Sequence, residues 1–204
     1  MAANRYAPVC EKQNRKTNRM KKYYPILLLI LFLSCGVYRD KQENFTKINS
    51  ENVTLLNGNY SVFAERKPNV KYPFQNYANE KFYRKYGREY DTIKFDTISG
   101  GSFNISIAND KEINIKFIRD NQVLRKQTLK YKIKDDGFLH IKNRNTIFRG
   151  LPFIFGGIDV RKIRIALSEN SELLINDVYS GYGAFLFIGD AKSWEETNKY
   201  KLIK

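Results

Sequence analysis

From residue 91 onward, apolar and polar residues alternate in short runs, and this period of two constrains the chain more than any other feature. Successive side chains of a strand point to opposite faces, so each run reads as a strand with one dry and one wet face. Ile93 and Phe95 alternate with Thr92, Lys94 and Asp96. Phe103, Ile105 and Ile107 follow Gly100-Gly101, and Ile113, Ile115 and Phe117 follow the turn residues Asn109-Asp110. Asp120-Asn121 and Asp135-Asp136-Gly137 punctuate the chain on either side of Leu129, Tyr131 and Ile133. Further strands are expected at 138–141, 146–148, 160–167, 173–175 and 184–188, the last clear one. Residues 150–157 are apolar on both faces, which predicts a bent or fully buried strand, or a loop folded against one end. Residues 191–204 are polar and are expected to end as one short helix or strand that lays Trp194 on the body. About nine or ten short strands with tight turns predict a closed meander or a sandwich. Closure removes exposed edges, so the expected fold class is all-β: an antiparallel up-and-down barrel of about eight to ten strands. Strands this short, with charged outer faces, do not suit a membrane barrel.

The preceding stretch is different. Val53, Leu55 and Leu56 stand on one side of Asn57-Gly58-Asn59, and Tyr60, Val62 and Phe63 on the other, the signature of a hairpin or bend. Leu56-Asn57-Gly58-Asn59-Tyr60 resembles the opening strand of small lipocalin-like barrels, a likeness that adds to the barrel expectation. Tyr72, Phe74, Tyr77, Phe82 and Tyr83 are interleaved with Lys71, Lys81, Arg84 and Lys85. A short helix over 76–86 is expected, with Asn76 as its cap and Gly87 as its stop. Two roles are open for this aromatic segment. It is a lid over a barrel mouth, lined with Phe153 and Phe155, or it is a plug whose rings belong to the core.

Near the amino terminus, Lys21-Lys22 precede a short apolar run through Leu33, then Ser34-Cys35-Gly36. A basic segment, an apolar core too short to span a bilayer and a small residue before a cysteine make an export signal. Leu31-Phe32-Leu33-Ser34-Cys35-Gly36 resembles the lipobox of bacterial lipoproteins. The resemblance implies cleavage before Cys35 and acylation of its thiol, hence a membrane anchor, since two or more acyl chains hold a protein stably. Phe32 stands where that family usually has Leu. Gly36 lacks the acidic residue of lipoproteins retained at the inner membrane, so the resemblance implies the outer membrane. The expected organisation is a signal over 1–34 with an extended basic start over 1–19, an anchor and tether over 35–51, and a barrel domain over 52–204.

Charge and composition narrow the function. The chain carries a formal net charge of +15. Residues before Cys35 account for part of it, and about +9 remains on the rest by formal counting. A basic tethered domain is drawn to anionic headgroups or acidic partners, whereas nucleic acid is not expected, because no recognition motif appears. Beyond Cys35 there is no cysteine, and His140 is the sole histidine, so disulfides and multi-histidine metal sites are excluded there. His140 is expected to face solvent or the rim, opposite Leu139 and Ile141. Asp135-Asp136 reads as a turn rather than a cation site. With no nucleophile elbow, phosphate loop or paired carboxylates, no enzyme activity and no cofactor are expected. The leading expectation is a lipid-anchored module holding a small apolar ligand in its barrel. The alternative is an envelope interaction protein with a filled core that binds a protein or glycan by its surface.

Overall fold

Alternation becomes sheet wherever a turn of the right chirality joins two runs. Asp120 and Asn121 both adopt positive φ, the geometry of a two-residue hairpin turn that matches strand twist. They join two strands whose end residues, Arg119 and Gln122, pair directly. The computed structural model describes residue 38 and residues 44–65, 77–83, 92–95, 100–142, 146–151, 155–186 and 188–203. Its strands are β1 (Phe45–Thr46), β2 (Gly58–Ala64), β3 (Ser102–Asn109), β4 (Glu112–Arg119) and β5 (Gln122–Ile133). Then come β6 (Leu139–Lys142), β7 (Thr146–Leu151), β8 (Phe155–Ser168), β9 (Leu173–Phe185) and β10 (Ile188–Ile203). One short helix, α1 (Ala78–Phe82), and a 3-10 turn, Val53–Leu56, complete the described elements.

The sheet is antiparallel and closes on itself. Neighbours run β2, β3, β4, β5, β6, β8, β9, β10, and β10 returns to β2 through Tyr200, Leu202 and Ile203. Eight strands therefore form a ring in chain order, with β7 the one excursion. Both β1 and β7 pair with β8 outside the ring. The turns at 109–111, 134–137 and 169–171 lie at one end, and the turn at 120–121 lies at the other.

Inward positions fill the ring. Tyr60, Phe82, Phe103, Phe117 and Tyr200 are 0–1% exposed and touch ring to ring, Phe103 lying 5.9 Å from Phe117 and 5.7 Å from Tyr60. Burying each such ring is worth about 1.5–3 kcal/mol. The 3-10 turn covers one end: Leu56 is buried and its carbonyl accepts from Tyr60 Oη at 3.0 Å. Helix α1 covers the other, where Phe82 packs on Phe103 and Phe117.

Several expectations are corrected. Residues 53–56 form a 3-10 turn rather than a strand, so Gly58 opens β2 instead of turning a hairpin. Residues 92–95 are not a strand, although Phe95 is buried. The helix is only Ala78–Phe82, because Tyr77 bridges Phe63 in β2 and Tyr83 is already extended. Part of the stretch read as tether is folded: Phe45 pairs with Ser168 and packs on Phe138, and Ile48 is buried. The largest difference is β10. Residues 188–203 are one strand of 16 residues, and β8 and β9 have 14 and 13. Strand shortness is therefore no argument here, while the charged outer faces remain.

These three strands outrun the ring. β6 meets β8 only at Ile163–Ile165, and β2 meets only the last residues of β10. The leading part of β8, the trailing part of β9 and the leading part of β10 continue together, joined by β7, as a four-stranded flap.

Candidate functional site

Three polar or exposed features stand out, and each follows from the β8–β9–β10 register. Asp177 on β9 faces inward beside Ile163 and Glu196, and it is fully buried. A buried carboxylate needs paired charge. Arg161 Nε donates to both Asp177 oxygens at 3.0 and 3.1 Å, and the guanidinium also pairs through Nη2. Lys81, carried on α1, lies 3.5 Å from Asp177 and 3.2 Å from Glu196. Trp194 sits under both cations, 5.4 Å from Arg161 and 5.8 Å from Lys81, and stacks on Tyr179. This cluster ties α1 to the ring. Burial pushes the Tyr200 phenol well above its ordinary value, and Glu196, Asp177 and Glu80 add to the shift.

One residue along, the same strands make a second network on the outer face. Arg164 Nε donates to Asn176 at 2.8 Å, and its Nη1 donates to Asp136 at 3.1 Å. Asn176 in turn donates to Glu195 and Thr197. His140 meets Asp136 at 2.8 Å through Nε2, and Tyr38 covers both His140 and Arg164, 4.1 Å from the guanidinium. His140 lies on the outer face, opposite Leu139 and Ile141, beside the end turn that carries Asp136, and at 8% exposure it does not face solvent, the other position expected for it. Burial lowers its pKa below 6.5, and Lys134 and Arg164 add to that, outweighing Asp136. Burial acts to raise Asp136, but hydrogen bonds from His140, the Phe138 amide and Arg164 outweigh it and leave its pKa lowered. Asp136, its pKa lowered, is held as the carboxylate and accepts from His140 Nε2.

The third feature is the flap. Its inner side carries an open groove of about 410 Å³ lined by Arg149, Asp159, Tyr179, Asp190 and Lys192 over the glycines at 157, 181 and 183. Asp159 pairs with Arg149 and accepts from Tyr179 Oη at 2.8 Å. At the tip, Phe155, Phe185 and Ile188 stand in one cross-strand row. All three are exposed, Ile188 at 81%, and Leu186 in the turn is exposed beside them. An isolated exposed apolar residue is ordinary, but four at one end of the flap are a feature to explain.

The aromatic residues expected at a mouth do not converge. Phe82 is buried, Tyr77 packs on Phe63, and Tyr83 lies under Arg125 at 4.9 Å. Phe155 sits at the flap tip, eight positions along β8 from Ile163 beside the α1 cluster, a separation of about 26 Å at strand rise. Cys35, Tyr72, Phe74 and Phe153 lie outside the described residues. Sequence reasoning missed Arg161, Asp177 and Trp194 as a unit, because polar residues on the inner face of β9 and β10 hide the alternation.

Among the described residues, no helix is long and apolar enough to cross a membrane. No protein-family model, curated protein or solved structure matches the chain.

Proposed function

We propose that this chain is a lipid-anchored interaction module of the bacterial envelope, tethered at Cys35, that binds a protein partner through the flap. The observation that carries this reading is the filled ring. Tyr60, Phe82, Phe103, Phe117 and Tyr200 occupy the space an apolar ligand would need. A ligand pocket of ordinary size is about 300 Å³ or more and largely enclosed. The grooves at 149–192 and beside Ser61, Phe63 and Lys201 are open instead. The filled interior thus favours surface binding over the reading in which a small apolar ligand or lipid is held inside. The likeness to lipocalin-like lipoproteins belongs to this proposal too, supported by a ring whose strands follow chain order. The acids of the three networks are matched by Arg161, Lys81, Arg164, His140 and Arg149, an arrangement that holds a scaffold together rather than leaving a base poised for chemistry.

A photoreactive residue at Phe185, introduced into the full chain in intact cells, tests the proposal. One discrete cross-linked protein is expected, absent when the same group replaces Asn170 at the opposite end. Stoichiometric lipid released from the purified protein, with no cross-link from the flap, overturns it. The mass of the amino-terminal peptide reads the anchor separately: a diacylglyceryl cysteine at position 35 is expected.

A further inference from the structure

A different face of the molecule carries an unbalanced charge. The outward positions of β5 are Lys126, Thr128, Lys130 and Lys132, all exposed. In register beside them stand more lysines: Lys116 pairs with Lys126 across β4–β5, and Lys130 pairs with Lys142 across β5–β6. Lys132 pairs with His140, which pairs with Arg164. The one acid in these rows is Glu112, opposite Lys130, while Asp136 at the adjoining turn is engaged by His140 and Arg164. Like charges directly across a sheet destabilise it, so the fold itself gains nothing from Lys116 facing Lys126 or Lys130 facing Lys142.

The chain path supplies a second observation. Tyr38 lies on this same outer surface, against His140 and Arg164 next to Lys132. Gly36 and Val37 separate it from Cys35, three Cα–Cα steps with a reach of at most about 11 Å. That is comparable to the Debye length of about 10 Å at 0.1 M salt, so a membrane at Cys35 would place the Lys132 end of the lysine face within its field.

We propose that the outer face of β4, β5 and β6 docks on the anionic phospholipid headgroups of the membrane, laying the ring on its side. The five lysines Lys116, Lys126, Lys130, Lys132 and Lys142 would each gain about fivefold in partition to an anionic surface. The flap tip, on other strands, stays available to a partner. The position of Tyr38 gives the inference its direction through the anchor reading, but the charge asymmetry stands without it.

The test uses the full chain with Cys10→Ser and Cys35→Ser, so that failure of acylation and failure of docking are read apart. A fluorophore is placed at Thr128→Cys, or at Lys199→Cys on β10 across the ring. Vesicles are phosphatidylcholine alone or mixed with phosphatidylglycerol, each with a quencher on the headgroup. Partition is compared between the two vesicle types, so attachment through residues 26–33 cancels. Quenching is expected at Thr128 and not at Lys199, on the anionic vesicles only, and it disappears at about 1 M salt, where the Debye length is about 3 Å. Changing Lys126, Lys130, Lys132 and Lys142 to Gln lowers the preference for anionic vesicles about a hundredfold or more, with an unchanged circular dichroism spectrum. Equal quenching at both sites, no quenching on bound protein, or an unchanged preference overturns the proposal. So does displacement from vesicles by polyphosphate at lower phosphate concentration than by free lipid vesicles, which would make a soluble polyanion the occupant.

Discussion

Gly101 has no room for a side chain, because the ring of Phe95 lies over its backbone and a Cβ there would collide with that ring. Gly181 under Tyr179 and Gly189 under Tyr182 repeat the arrangement. An aromatic laid across a bare glycine restores the surface the glycine lacks and lets the sheet curve. Gly101→Ala should therefore destabilise by about 1–3 kcal/mol, the usual cost of overpacking. The change should be smaller in a Phe95→Ala background, where Val62 Cγ1 remains 3.0 Å from the added atom, a non-additivity that urea unfolding of the four proteins can measure. His140 makes the second residue-scale prediction. Its folded pKa is depressed, so the unfolded state binds the proton more tightly. Stability is then fully present above the unfolded value of 6.5 and falls as pH drops below it. Urea midpoints followed down through that range should decline in the wild type, and this component of the decline should vanish in His140→Gln. An unaltered slope in the variant would refute the assignment.

At the scale of elements, α1 is too short to persist alone, since isolated helices below about 12 residues are marginal in water. Its place comes from Phe82 in the core and Lys81 on Asp177 and Glu196, while Asn79 Nδ2 donates to the Ile93 carbonyl at 2.9 Å. Removing the central acid strands buried cations. Asp177→Ala should cost about 3–5 kcal/mol by the usual cost of breaking a buried pair. Because Arg161 is a third exposed and can reach water, the lower end of that range is expected. Chemical denaturation gives the number, and an increase in Trp194 fluorescence change on binding of a quencher would report loosening of α1.

For the whole molecule, ring and flap should differ in stability. Core residues of β3 and β4 are fully buried, whereas the flap tip leaves Phe155, Phe185 and Ile188 in solvent. Amides opening with few buried apolar contacts exchange early. Hydrogen exchange should therefore protect β3 and β4 most and the 183–190 segment of the flap least. Phe185→Ser with Ile188→Ser should leave the unfolding free energy within about 0.5 kcal/mol, as surface changes usually do. The same pair of changes should abolish the cross-linked partner. A large loss of stability instead would mean the tip packs within the protein's own fold.

Local alternation was enough to declare an antiparallel sheet over β3, most of β4, the second half of β5 and β6, because there the inward positions are apolar, whereas Arg125 and Gln127 of β5 stand opposite inward Phe117 and Ile115 and break the pattern. The lysine face was likewise written in β5, one residue in two. β10 was not legible in this way. Its inward positions include Glu196 and Asn198 between Trp194 and Tyr200, and a polar residue facing inward looks the same in sequence as one facing water. Only when β8, β9 and β10 are laid side by side and α1 is set against them do Arg161, Lys81, Asp177 and Glu196 meet and neutralise one another. The flap is a tertiary outcome for the same reason: where the ring strands stop and their neighbours continue is settled by pairing between distant segments, and short-range patterning carries no information about which strand a given edge will find.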